Sequence, residues 1–277
     1  MFWADLAVLD CQLGAAPSYL AVNCTDLAEI PRGLAESTRH RHAVRVSDAD
    51  LRELERRFRE TGSVDDETAW LRARVRTGRL WSKRATLAAY LGHGAAQAMV
   101  GESPGVTLAD FEDWILGLEP WGEGCRRRAL CAIARAALRV FDPKLLPVPQ
   151  REYGSYPERA VRAFEDWILC PCEQHEQSVR TECSRAIWVA PHSESPDLED
   201  PMSPTPLTAV AWIAHHLLFC MTPRQGMYED IISWAKVANP EDLLSAVKDD
   251  LVPWALGYGD PLRERVEVRQ RAEAAGG

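Results

Sequence analysis

Long apolar runs and alternating β-branched residues are both scarce in this 277-residue chain. The longest apolar segment, Ala209–Met221, contains His215 and His216 and is shorter than the roughly 18–20 residues that span a bilayer. The apolar N-terminal segment contains Asp5 and Asp10 and has no positive stretch, so we expect no signal peptide and no membrane partner. Without sustained alternation, no β-sheet is expected.

The sequence also lacks the short motifs that mark common catalytic sites. It contains no Walker A phosphate loop, no Gly-x-Ser-x-Gly nucleophile motif, no His-Glu-x-x-His zinc motif and no dinucleotide-binding fingerprint. No enzyme class is therefore indicated, and a non-enzymatic protein is favoured.

Basic residues are fewer than acidic residues and are unevenly distributed along the sequence. The net charge is −9 and the isoelectric point is about 5.4, which makes nucleic acid an unfavourable partner because phosphates attract Lys and Arg. Residues 32–84, however, contain 14 Lys and Arg against 9 Asp and Glu, whereas the remaining residues contain 18 against 32. The acidic part is suited to a basic protein partner, although helix faces commonly carry solvated charges.

Nothing in the sequence requires a disulfide, because a chain of this length buries enough surface to fold without one. We expect a cytoplasmic protein in which the eight cysteines stay reduced. Buried cysteines of this kind behave as small apolar residues.

What the sequence does contain is a repeated hexapeptide, Phe-Glu-Asp-Trp-Ile-Leu, at Phe111–Leu116 and again at Phe164–Leu169. Such self-similarity indicates that one supersecondary unit is used more than once. The expected fold class is all-α, an irregular stack of helical hairpins with an imperfect internal repeat. The two repeated helix pairs are expected near 107–141 and 157–188.

The repeat makes a specific packing prediction. Trp114 and Trp167 occupy the same place in the two copies, with apolar neighbours at helical spacing, so both indoles are expected to be buried. We expect a single helical domain over 1–277. The alternative is a division into an N-terminal part, 1–104, and a repeat-containing part, 105–277.

Capping residues predict where several helices begin. Ser47 and Ser63 each precede a segment of helical periodicity and are typical N-cap residues, and Thr107 is the expected cap of the first repeat helix. Residues 1–32 are expected to be irregular. The acidic, Pro-rich segment Pro191–Pro206 is expected to be an exposed loop.

A cysteine-rich segment is the best candidate for chemistry. Cys170, Cys172 and His175 follow one another closely, and Cys183 lies eight residues further on, so three thiols and an imidazole could form a tetrahedral zinc site. A second interpretation makes Cys172 a reactive thiolate at a helix start, beside His175. A third has no cofactor, with Cys170 and Cys183 packed in the core and His175 on the surface.

Each hexapeptide carries two adjacent acids, Glu112 with Asp113 and Glu165 with Asp166. Adjacent helix residues point in different directions, which disfavours a catalytic pair of carboxylates. We interpret the four acids as solvated residues on the outer side of each Trp. They are the acidic binding residues predicted for a basic partner.

Three consecutive arginines, beginning with Arg126 and Arg127, open the helix that follows the first hexapeptide. Cations at a helix start oppose the helix dipole, and local misfits of this kind sometimes mark binding sites. Arg126 and Arg127 are therefore predicted binding residues, for a partner carboxylate or for acids of a neighbouring helix.

One stretch of the chain carries a family resemblance. Its residues are Trp70, Arg74, Gly78–Leu80, Leu87–His93 and Gly101–Glu102, continued more weakly by Trp114, Trp121–Gly122 and Arg126–Leu138. They resemble a run found in uncharacterised all-helical proteins of high-GC bacteria, and a composition with only four Lys among 32 basic residues fits such a genome. The resemblance covers about a third of the chain and implies no activity.

Two functional hypotheses follow from these observations. The leading one is a non-enzymatic, cytoplasmic protein-binding module, of the immunity or accessory type that some acidic helical proteins provide in bacterial toxin and defence systems. The alternative is a metal- or thiol-dependent enzyme centred on Cys170, Cys172, His175 and Cys183, with zinc as cofactor. The first hypothesis needs no cofactor.

Overall fold

A computed structural model of the protein describes residues 46–101, 110–146, 148–189, 205–221, 226–239 and 241–276. The chain divides into two units, Met1–Val44 and Arg45–Gly277, and every described residue belongs to the second. The expectations for residues 1–32, for Thr107 and for all but the last two residues of the Pro191–Pro206 loop fall outside the described residues.

The described ranges contain twelve α-helices, several short 3-10 segments and no strand, so the predicted all-α fold class is confirmed. None of these helices combines the length and hydropathy needed to cross a bilayer. The helices are α1 (Asp48–Thr61), α2 (Val64–Arg76), α3 (Ser82–Tyr90), α4 (Gly94–Val100), α5 (Phe111–Leu116), α6 (Glu123–Leu138), α7 (Tyr156–Leu169), α8 (Glu173–Ala186), α9 (Pro206–His216), α10 (Gly226–Ala238), α11 (Leu243–Leu256) and α12 (Pro261–Gly276).

The first hairpin forms as its capping residues predict. The Ser47 hydroxyl accepts a hydrogen bond from the backbone N–H of Asp50 at 3.1 Å, and the Asp50 carboxylate accepts one from the Ser47 N–H at 2.9 Å. This reciprocal pair satisfies two N–H groups that would otherwise lack partners. Ser63 caps α2 with its hydroxyl, which accepts a hydrogen bond from the Asp66 N–H at 3.1 Å, after Gly62 ends α1 in the left-handed conformation at φ 60°.

Helix α6 lies at the centre of the second unit. It packs against α7, α9, α10 and α11, and its many alanines, buried along most of its length, let these neighbours approach closely. Around it, α7 packs against α8 and α9 against α10. Helix α3 packs on α11, so described residues from both sides of position 104 share one hydrophobic core.

Both repeated tryptophans are buried, as predicted: Trp114 is 4% exposed and Trp167 is 6% exposed. In each copy the Phe and Trp rings lie side by side, with centroids 5.8 Å apart in the first copy and 5.7 Å apart in the second. The first hexapeptide forms all of the short helix α5, whereas the second forms the last turns of the longer helix α7. The Phe and Trp of the hexapeptide are therefore buried in both copies, although the two helices differ in length.

Candidate functional site

The candidate site is the turn between α7 and α8. Cys170 follows the last residue of α7 and donates its N–H to the Asp166 carbonyl at 2.9 Å. Two residues later, Cys172 donates its N–H to the Cys170 carbonyl at 2.8 Å and becomes the N-cap of α8. Pro171 fixes one backbone torsion between them. The turn thus holds two exposed cysteines close together.

His175 completes a cluster of three side chains at this turn. One ligand atom each from Cys170, Cys172 and His175 lies within 4.8 Å of the other two. The Cys172 Sγ is 3.3 Å from the His175 Nδ1. With zinc–sulfur bonds of about 2.3 Å and zinc–nitrogen bonds of about 2.0–2.1 Å, tetrahedral ligand atoms stand roughly 3.5–3.8 Å apart. The three residues therefore fit a thiophilic metal ion after small side-chain adjustments.

The imidazole of His175 also contacts the backbone of the turn. Its Nδ1 is 2.9 Å from the Cys170 carbonyl oxygen, and because a carbonyl only accepts, Nδ1 carries the proton in this arrangement. The same Nδ1–H faces the Cys172 sulfur, which suits a thiolate there. A metal bound at Nδ1 would displace this proton, which would then sit on Nε2.

The two thiols of the turn differ in acidity. Hydrogen bonding from the backbone N–H of His175 is the main cause that lowers the pKa of Cys172, and the Cys170 thiol and the imidazole act in the same direction. The pKa of Cys170 is raised, chiefly because its thiol hydrogen-bonds to Cys172. Cys172 is therefore the first of the pair to become a thiolate, as expected at the start of a helix.

Cys183, the fourth candidate ligand of the zinc interpretation, lies outside the cluster. The third interpretation, which packs Cys183 in the core, is correct for this residue but wrong for Cys170, which is exposed. Cys183 lies eleven residues after Cys172 on α8, about 16 Å further along the helix axis. The side chain is fully buried, burial raises its thiol pKa, and its carbonyl accepts a hydrogen bond from the His215 Nδ1 at 3.1 Å. Cys183 is a core residue. The six described cysteines are all free thiols, as expected.

The expected exposed position of Glu165 is also wrong. Its carboxylate is fully buried and accepts hydrogen bonds from Arg135 (3.2 Å), Arg269 (2.8 Å) and Arg265 (3.4 Å). These arginines come from α6 and α12, so Glu165 joins three helices. Because its partners are internal, Glu165 is not available to an external basic partner.

Asp166, beside it, is half-buried and forms a close ion pair with Arg269. Burial raises the pKa of Asp166, while the charges of Arg269 and His175 act against this shift. Asp166 thus lies close enough to both the ion-pair network and the imidazole of the cluster to feel the charge of each. It belongs to the surroundings of the candidate site, and its main partner is internal.

The acids of the first hexapeptide remain closer to the predicted position. Asp113 is exposed, and Glu112 is partly exposed with its carboxylate 3.7 Å from the Lys236 ammonium. The two copies therefore use the same acids differently, because α12 covers the second copy and supplies arginines to it.

The predicted binding residues Arg126 and Arg127 have internal partners. Arg126 forms a close ion pair with Glu123, one turn away, and lies 4.9 Å above the centre of the Tyr228 ring. Arg127 donates to the Cys220 and Met221 carbonyls at 3.2 and 3.1 Å. The misfit with the helix dipole is therefore relieved inside the protein.

A second group of residues has no local signature in the sequence. Tyr258 lies between two glycines, which in the sequence indicate only the end of a helix. In the structure its ring stacks on the Trp70 ring, with centroids 5.5 Å apart. The Arg74 guanidinium lies over the same Trp70 ring at 4.8 Å. Sequence separation of more than 180 residues hides this contact, and no local pattern signals it.

No family model, curated protein or solved structure matches this chain.

Proposed function

We propose that this protein binds one thiophilic divalent metal ion, with zinc as the best fit, through Cys170, Cys172 and His175. The observation that carries the proposal is the convergence of two thiols and an imidazole within 4.8 Å on one exposed turn. Thiolate and imidazole are the ligands that zinc prefers in proteins.

The acidity of the cluster supports the same proposal. Metal binding requires both thiols to lose their protons and the coordinating nitrogen of His175 to be unprotonated, so binding releases protons. The pKa of Cys172 is already lowered, which reduces the cost of forming the first thiolate at neutral pH. The affinity for zinc should therefore rise with pH, chiefly through the ionisation of Cys170.

Three protein ligands leave the fourth tetrahedral position of a zinc ion open. Both cysteines are exposed, so water, a small thiol or a donor from a partner protein can reach that position. Exposure also means that water is not excluded from the site, which favours metal binding over catalysis. A cytoplasmic location, proposed with the same function, would keep the two thiols reduced.

The sequence-based hypothesis of an immunity-type protein with a basic partner remains a prediction. Of its six binding residues, only Asp113 and Glu112 are appreciably exposed, because the others have internal partners. A protein partner could supply the fourth ligand to the metal, and this contact would be more specific than one with a broad acidic surface.

The test is zinc stoichiometry and affinity in purified full-length protein. We expect about one zinc per chain, and we expect Cys172→Ser, Cys170→Ser and His175→Gln each to weaken binding by at least about tenfold, since even residues behind metal ligands contribute that much. The matched control is Cys183→Ala, which removes a thiol of the same helix from the core, with circular dichroism to confirm folding. Zinc binding unaffected by all three ligand variants would overturn the proposal.

A further inference from the structure

A cavity of about 390 Å³ lies where α1 and α2 meet the end of α11. Its lining includes the aromatic rings of Phe58, Trp70 and Tyr258, the backbone of Gly257 and several arginines. This volume falls in the range of about 300–1,000 Å³ that small-molecule sites occupy. The cavity is formed by residues that take no part in the cysteine cluster.

Arg74 provides a half-buried positive charge in this cavity. Its Nη1 donates to the Leu256 carbonyl at 2.6 Å, and its guanidinium lies over the rings of Trp70 and Tyr258. Within the described residues, no carboxylate lies within ion-pair distance of it. Burial lowers the pKa of Arg74, and the nearby Glu55 carboxylate acts against this shift without forming an ion pair with Arg74. An anion bound beside Arg74 would add direct compensation for this half-buried charge.

The remaining charges of the lining are also predominantly positive. Arg59 and Arg79 line the same cavity, each paired with an acid, Glu55 at 2.6 Å and Asp48 at 2.8 Å. Both pairs are largely exposed and therefore weak. Three guanidinium groups thus face one lining carboxylate, that of Glu55.

The aromatic side of the cavity is held in a fixed geometry. The Phe58 and Trp70 rings are stacked at 5.3 Å with an interplanar angle of 21°, and the Trp70 and Tyr258 rings at 5.5 Å with 15°. The Tyr258 hydroxyl donates a short hydrogen bond to the Glu67 carboxylate, whose Oε1 is also 3.4 Å from the His93 Nε2. Trp70 is only 8% exposed, whereas Tyr258 is 40% exposed, so these contacts fix Tyr258 as the accessible ring near the Arg74 cation.

We propose that this cavity binds a small organic anion that carries a flat aromatic ring, with its phosphate or carboxylate on Arg74 and its ring against the exposed ring of Tyr258. A guanidinium binds either oxyanion through two parallel hydrogen bonds. Because none of these residues belongs to the cysteine cluster, the proposal stands independently of metal binding.

Calorimetric titration of the full-length protein at low salt tests this proposal with four probes. Adenosine monophosphate and benzoate combine a ring with an anion, whereas adenosine and inorganic phosphate each supply one half. We expect at least one combined probe to bind, and adenosine monophosphate, if it binds, to bind more tightly than adenosine or phosphate alone. The combined probe that binds identifies the anion as phosphate or carboxylate. Failure of both, or phosphate alone binding as tightly as adenosine monophosphate, would overturn the proposal.

Three variants locate the binding site. Arg74→Met should weaken binding by about tenfold or more, the loss expected for charge-assisted hydrogen bonds. Arg72→Met is the matched control, because Arg72 lies on the same helix and also donates to a backbone carbonyl, that of Ala98, but does not line this cavity. If Arg74→Met fails to fold, Arg79→Gln at the exposed rim should still weaken binding. If Arg74→Met, or Arg79→Gln in its place, binds the probe as tightly as Arg72→Met does, the site is assigned to the wrong residues.

Discussion

The buried carboxylate of Glu165 should contribute more to stability than any exposed charge of the same helix. Glu165 is fully buried, whereas its partners Arg269, Arg135 and Arg265 are 13%, 26% and 35% exposed. Replacing Glu165 with Gln removes the one negative charge that all three share. Arg269 and Arg265 would keep their pairs with Asp166 and Asp250. Arg135 would be left partly desolvated, with no acidic partner among the described residues.

Removing one partner from a buried ion pair costs about 3–5 kcal/mol, because it leaves an uncompensated charge. For a domain of this size, 1 kcal/mol corresponds to about 2–4 °C in the melting temperature. Glu165→Gln should therefore lower the melting temperature by roughly 6–20 °C. The three arginines come from α6 and α12, so we expect the C-terminal helix α12 to loosen first.

Thermal unfolding followed by circular dichroism measures this effect. The control is Glu158→Gln, the same substitution on the same helix, where the carboxylate is about half exposed and pairs with Arg162 at 2.6 Å. Exposed pairs one turn apart contribute about 0.3–0.5 kcal/mol, so the control should melt almost like the wild type. If Glu165→Gln melts within about 2 °C of the control, the ion-pair network does not hold α12 in place.

Three further predictions concern the repeat, the thiols and acid stability. Trp114→Ala and Trp167→Ala should each lower the free energy of unfolding in urea by about 3–5 kcal/mol, and a loss below about 1 kcal/mol in either would show that the indole does not pack as described. In the metal-free protein, alkylation followed by mass spectrometry should label Cys172 at lower pH than Cys170, since the pKa of the first is lowered and that of the second is raised; the reverse order would contradict this assignment. Burial lowers the pKa of His215 in the folded protein. As the pH falls below about 6.5, the unfolded chain therefore takes up this proton before the folded protein does, and the free energy of unfolding should decrease. If His215→Asn loses the same amount of stability over this pH range, this histidine is not the cause.

Local rules accounted for much of the fold. Ser47 and Ser63 predicted helix starts because a capping side chain acts within three residues, and the apolar periodicity around Trp114 and Trp167 predicted their burial. The proximity of Cys170, Cys172 and His175 also follows from their short separation in sequence. All of these features depend on residues that are close together in the sequence.

The errors concern long-range packing. Glu165 has acidic and apolar neighbours like those of Glu112, yet it is buried because α12, about 100 residues later, lies over α7 and supplies Arg265 and Arg269. Nothing near Glu165 in the sequence indicates those partners. Cys183 was a candidate ligand by residue type alone, and the helical rise places it about 16 Å beyond Cys172, in the core as the third interpretation predicts.

X-ray absorption spectroscopy of the zinc-loaded protein tests the central claim most directly, because it reports the atoms bound to the metal. We predict two sulfurs at about 2.3 Å and one imidazole nitrogen at about 2.0–2.1 Å from the zinc, with a light atom in the fourth position. Cys172→Ser should reduce the sulfur contribution. In buffer free of small thiols, a site with three sulfurs would contradict the assigned ligand set, and a site without sulfur would contradict metal binding at the turn between α7 and α8.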